Sequence, residues 1–367
     1  MRVKRRDNFL AILIIFGIAA TLWLRVWADH RADSIYGPKL VAANLHSTYV
    51  VMNGHLYHLD RSGAVQDAVS LDSIGFSKTP CDLQATEDGR LLVGNREDRT
   101  IYVCDAGLLA CRPFYALTGA DDRTEVGRIA EESAFDFYFE TATERLFIVD
   151  AVRREFAIIS MPEEKRSLVL DQEDLSLPSA VWVDHKGLAR IADTVRQQII
   201  GVATESSQFK AFYTGYPGRT EMARNENYFP IDLVQGPHKE WWIINAGPTL
   251  MRADLLRYDS DGIPRQRIDL PDDAQPASLA LFADRLLVAD PFLFTLFSVN
   301  LEDATVERFG GQPFMDEAVY FKHRADNYRN ISGLALICLI IIVLFCFLLF
   351  WKVKRTGRVE TRSAAGS

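Results

Sequence analysis

The chain repeats itself, and the repeat limits its fold more than any other feature. The stretch PCDLQATEDGRLLVGN, from Pro80 to Asn95, returns as PSAVWVDHKGLARIAD, PIDLVQGPHKEWWIIN and PASLALFADRLLVAD. Pro80 to Asn95, Pro178 to Asp193 and Pro230 to Asn245 each span 15 residues, and Pro276 to Asp290 spans 14. A fifth copy without the proline, AFDFYFETATERLFIVD, runs from Ala134 to Asp150. An earlier unit, YVVMNGHLYHLDRSGAVQDAVSL, keeps the rhythm and also lacks the proline. Each unit reads as short strands. CDLQAT, RLLVGN, RTIYVCD and CRPFYAL alternate or run apolar, with turn residues between them. A period of about 45–50 residues with about four strands fits a propeller blade better than a helical repeat. One such sheet cannot bury both faces, whereas six set radially cover one another and leave no long free edge. The expected fold is therefore all-β, a six-bladed β-propeller of four-stranded blades over residues 36–318. Two packed β-sandwiches are the rival. Joining chain from both ends closes the ring, bringing residues near 40 and 315 together.

Two segments lie outside this pattern. Phe9 to Leu24 carries no charge and is almost wholly apolar, and Ile331 to Trp351 is 21 residues without a charge. The second is long enough to cross a bilayer as a helix, and the first is about long enough if Arg25 snorkels. Trp23, Trp27 and Trp351 stand where interfacial aromatics belong. Arg2, Lys4, Arg5 and Arg6 precede the first segment, and Lys352, Lys354, Arg355, Arg358 and Arg362 follow the second. By the positive-inside rule both termini are cytoplasmic. The expected order is a tail at 1–8, a span at 9–28, the propeller, a linker at 319–330, a span at 331–351 and a tail at 352–367. In a bacterium this is an inner-membrane protein whose propeller faces the periplasm or cell exterior. The first span is read as an uncleaved anchor, and a signal peptide is the alternative. Closure of the ring would set the two spans side by side.

The segment between the spans is acidic, with 31 basic against 47 acidic residues, a net of −16. That argues against nucleic-acid binding and allows cations or basic partners. Cys104 and Cys111 flank a hairpin, IYVCDAGLLACRPF, in an exported region, so a disulfide between them is expected, with Cys81 left free. No HExxH, GxSxG or GxxxxGK[ST] motif occurs.

The pattern P-x-x-L, a turn, then L-x-V-x-D/N resembles the NHL-type repeats of six-bladed propellers. The linkers LTGADDRTEVGRIAEESAFDF and YTGYPGRTEMARNENYFPIDL resemble that family's glycine-bearing connections. The resemblance covers most of residues 45–315. It implies a fold shared by protein- and RNA-binding modules, scaffolds and a few metal-dependent enzymes, so it leaves the activity open.

Three features are candidates for function. The linkers beginning at Arg123 and Arg219 align without a gap, and 13 residues separate each Arg from an Asp, Asp136 and Asp232. Their shared Arg123/Arg219, Glu125/Glu221 and Arg128/Arg224 would rim one mouth of the central channel. There they would bind an anion or peptide, or pair with one another to tie linker to blade. Second, the position two after each proline or its equivalent holds Asp82, Asp136, Ala180, Asp232 and Ser278. Asp82, Asp136 and Asp232 could converge on the axis, either sharing a divalent cation such as calcium or capping backbone N–H groups at the hub. Lactonase-like six-bladed enzymes hold a metal near that place, but no Glu or Asn here completes their set. Third, the residue closing the second strand (Asn95, Asp150, Asp193, Asn245 or Asp290) recurs as a turn-maker would.

The first expectation is a non-catalytic, membrane-tethered platform for a protein, peptide or glycan at the channel mouth, with no cofactor and a protein partner in the envelope. The alternative is a metal-dependent hydrolase or lyase using the three aspartates.

Overall fold

The computed structural model describes residues 2–76, 80–105, 107–108, 110–117, 135–203, 211–213, 228–249 and 252–364. Two units emerge, residues 36–319 and a helical unit of residues 1–35 with 320–367.

The larger unit is six consecutive four-stranded antiparallel sheets. Blade 1 is β1 (Pro38–Ala43), β2 (Thr48–Met52), β3 (His55–Leu59) and β4 (Val65–Ser70). Blade 2 is β5 (Asp82–Ala85), β6 (Leu91–Asn95), β7 (Thr100–Cys104) and β8 (Cys111–Ala116). Blade 3 is β9 (Phe135–Glu140), β10 (Arg145–Asp150), β11 (Glu155–Ser160) and β12 (Lys165–Leu170). Blade 4 is β13 (Pro178–Val183), β14 (Leu188–Asp193), β15 (Gln198–Ala203) and β16 (Ala211–Tyr213). Blade 5 is β17 (Phe229–Gln235), β18 (Trp241–Ala246), β19 (Ala253–Tyr258) and β20 (Pro264–Arg267). Blade 6 is β21 (Ser278–Phe282), β22 (Arg285–Asp290), β23 (Thr295–Asn300) and β24 (Val306–Arg308). The first strands of successive blades are neighbours in a closed circle, β1–β5–β9–β13–β17–β21–β1. The fold is thus the expected six-bladed propeller.

The second strand of each blade sits mid-sheet with both faces covered. Leu91 to Asn95 and Trp241 to Ala246 are buried throughout. Side chains from adjacent sheets interlock between blades, as where Phe135, Phe137 and Phe139 meet Leu92, Ile101 and Val103. The proline that opens every unit but the third removes one ladder donor. In blades 1, 4 and 5 a register shift follows it at once, between Pro38/Leu40, Pro178/Ala180 and Pro230/Asp232. Blade 1 therefore does carry the opening proline, Pro38, which pairs with Met52 at the end of the second strand. The sequence reading began that unit too late and missed it.

The recurring D/N makes turns. Asp150 Oδ1 accepts the N–H groups of Val152 and Arg153, and Asn95 Oδ1 accepts that of Glu97. Asp290 Oδ1 accepts those of Phe292 and Leu293, while its Oδ2 reaches back to Gln275 N. Asp193 likewise holds Ser176 and Leu177 of the preceding connection. Cys104 and Cys111 are joined by a disulfide, and Cys81 is free.

The ring closes between complete blades. Gly37 N–H donates to Pro291 O at 2.8 Å, and Gly311 N–H donates to Gly63 O at 2.5 Å. At Gly63, φ is +82°, and a Cβ would come 2.7 Å from Gly310 Cα, so only glycine fits. Phe314 is buried, its ring edge-on to Tyr57 with centroids 5.4 Å apart.

In the helical unit, α1 (Arg2–Asp33) lies beside the later part of α2 (Gln312–Ala364). Trp27 meets Tyr328 edge-on at 5.5 Å, and a Cβ on Gly17 would touch Ile342 at 3.7 Å. The two segments are side by side, as ring closure led us to expect. Residues 319–330, expected as a linker, are helical and continuous with the apolar stretch. Leu13–Asp33 and Gln312–Leu349 are long and apolar enough to cross a membrane.

Candidate functional site

Two zones follow one another along the channel, because each first strand starts at one end and turns at the other. The starting end holds the acids. Asp82 Oδ2 accepts Phe137 N–H of the next blade at 3.2 Å, Asp136 Oδ1 accepts Val181 N–H at 2.8 Å, and Asp232 Oδ2 accepts Leu279 N–H at 2.7 Å. Ser278 Oγ does the same for Val41 N–H at 3.2 Å, across the ring closure. One rule covers all four: the residue two after the proline position takes the N–H three after it in the following blade. Where the preceding blade offers no acceptor, at Leu40 and Ala180, the carboxylate caps its own neighbour. Asp82 Oδ1 takes Leu83 N–H and Asp232 Oδ1 takes Leu233 N–H, both at 2.7 Å. At the junction after Ala180, Thr194 Oγ1 donates instead to Pro230 O at 2.8 Å.

The structure therefore brings Asp82, Asp136 and Asp232 together around the axis and gives their oxygens to backbone N–H groups. All three residues are half-buried. Burial raises all three carboxyls against the lowering pull of those N–H groups. Asp82 moves to about 8, aided by the charge of Asp232, and Asp232 to about 7. Asp136 rises well above the usual range through burial and through the charges of Asp82 and Asp232. Among the described residues no group of three His, Cys, Asp or Glu is placed to hold a metal ion. Arg123, Glu125, Arg128, Arg219, Glu221 and Arg224 lie outside the described residues.

At the other end, the first strands and their turns enclose a cavity of about 640 Å³. All six blades contribute to its wall. Tyr138 and Trp182 form an aromatic pair in the wall, ring centroids 5.0 Å apart, while the Phe139 side chain is buried between blades 2 and 3. Polar groups stand around it, among them Glu87, Glu140, His185 and Lys239. Burial pushes the Tyr138 phenol up to about 12, with help from the charges of Glu140 and Glu87. Two amides brace the wall between blades. Gln84 accepts Phe139 N–H at 2.6 Å and donates to Phe139 O at 3.0 Å. Buried Gln235 accepts His185 N–H at 3.0 Å and donates to Lys239 O at 3.3 Å. The sequence reading looked to the linkers and did not find this mouth. Its residues sit at the ends of the first strands and in their turns, where the sequences differ from blade to blade, so no repeat marks them.

These features define the class as a six-bladed β-propeller with an axial cavity. No family model matches the chain, and no curated protein matches it in sequence. Solved structures do. The chain is similar to a streptogramin B lyase, with TM-score 0.52 and 11% identity over 76% of this chain and 84% of that one. It is similar to a provisionally assigned gluconolactonase, with TM-score 0.55 and 10% identity over 76% and 91%. A chain of a nidogen/laminin complex is similar too, with TM-score 0.50 and 12% identity over 76% and 94%. Such distant likenesses show the fold alone. They include enzymes and a protein-binding assembly, so fold does not choose between those roles.

Proposed function

We propose that this chain is a membrane-tethered propeller that binds a ligand, without chemistry of its own, at the wide mouth of its channel. The observation that carries this reading is the 640 Å³ cavity with its aromatic pair and braced walls. A concave site of that size, mostly preformed and carrying a few polar groups, is what a ligand pocket needs. The two apolar helices support the tether, and the charges outside them support cytoplasmic termini with the propeller across the membrane. The engagement of the aspartate oxygens with backbone N–H groups favours a structural part for Asp82, Asp136 and Asp232 over metal chemistry.

A pull-down from envelope extract with the full chain in detergent tests the reading. Tyr138→Ala with Trp182→Ala should lose the captured partner while the melting transition survives. Retention of the partner would overturn the assignment to this mouth. Loss with Arg123→Ala plus Arg219→Ala instead would move the site to the two linkers.

A further inference from the structure

The charges of the cavity are sorted by side. Its carboxylates, Glu87 and Glu140, belong to blades 2 and 3, and its cationic or titratable nitrogens, His185 and Lys239, to blades 4 and 5. Lys186 and His238, both exposed, extend the second group. In a ring of six, blades 2 and 5 stand opposite, so Glu87 and Lys239 are separated by the cavity instead of neutralising each other. The Tyr138–Trp182 pair occupies the wall between them.

The two groups differ in availability. Glu140 is held by Arg145 at 2.8 Å. The Glu87 carboxylate and the Lys239 ammonium are both exposed, and neither forms a side-chain hydrogen bond or ion pair with another described residue. Their backbones are nonetheless fixed. Gln235 ties the His185 and Lys239 turns together, and Gln84 ties the first strands of blades 2 and 3. Among the described residues that line the cavity, Glu87 and Lys239 thus present an anion and a cation on opposite rims, with the Tyr138–Trp182 pair between.

We propose that the ligand is a short peptide with both termini free. Lys239 takes its carboxylate, Glu87 takes its ammonium, and the chain between them lies on Tyr138 and Trp182. The inference rests on the reading of this mouth as the binding site. A neutral glycan would use neither charge. A polyanion would meet Glu87 in a segment of net charge −16. A single amino acid would leave most of a 640 Å³ cavity empty.

Equilibrium dialysis of the full chain in detergent, read by mass spectrometry, tests it with four pools of mixed-sequence tetrapeptides: free termini, N-acetylated, C-amidated and blocked at both ends. The free pool should be retained best, and blocking either end should weaken retention about twofold to fivefold, as expected for a partly solvated charge contact. Lys239→Met should make free and C-amidated peptides equivalent while the penalty for acetylation persists. Glu87→Gln should do the reverse. Both sites are exposed, so the melting temperature should not move. Equal retention of free and doubly blocked pools would overturn the inference and leave binding at this mouth intact. So would retention of a mixed oligosaccharide pool with none of the peptides. Retention of neither class would overturn both readings.

Discussion

Asp232→Asn separates the shape of the hub from its charge. In the folded chain Asp232 accepts two backbone N–H groups, Leu233 in its own strand and Leu279 in the next blade. Burial nevertheless raises its carboxyl from 3.8 to about 7. The folded state then holds a proton that the unfolded chain releases. The stability it contributes is complete below pH 4 and is lost as pH rises through about 7. A group moved that far costs about 4 kcal/mol once fully ionised. Water in the open part of the channel should reduce this to roughly 2 kcal/mol. Asparagine cannot ionise, so it escapes the penalty. Its amide nitrogen, however, replaces one acceptor and leaves Leu233 or Leu279 N–H unmatched, costing about 1–2 kcal/mol at every pH. Asp82 gains too, since the charge of Asp232 contributes to its own rise. The variant should be less stable than the parent at pH 5 and equal or more stable at pH 8. Urea unfolding of the full chain in detergent, followed by tryptophan fluorescence at pH 5, 6, 7 and 8, measures the difference. Parallel stability curves for the two proteins, or a gap that widens with pH, would refute the claim that buried charge at the hub opposes folding.

Three further outcomes can be checked by melting. Gly63→Val should cost more than about 3 kcal/mol by driving Cβ into Gly310 at the ring closure; Gly54→Ala, at φ +77° with nothing within 4 Å, should cost only about 1–2 kcal/mol for its backbone angle. Replacing Cys104 and Cys111 by serine should cost about 2 kcal/mol, since the bridge closes only a short loop with a sequence separation of 7.

Much of the scaffold was legible because a propeller repeats its instructions. The opening proline, the apolar second strand and the D/N that ends it carry strand, burial and turn in local form. They need no knowledge of the neighbours, and length without charge likewise marks the two apolar helices. The first blade was misread only at its start, at Pro38.

The tertiary structure alone decided what the repeated positions do to one another. Asp82, Asp136, Asp232 and Ser278 could be listed from the sequence, but each acts on an N–H of the following blade, 45 to 55 residues later or, for Ser278, 237 residues earlier. Only closure of the ring sets donor against acceptor. It also placed Glu87 opposite Lys239 and laid Tyr138 beside Trp182. Those residues share no motif and no spacing, because a cavity wall is made of distances between blades, and a single strand encodes only its own.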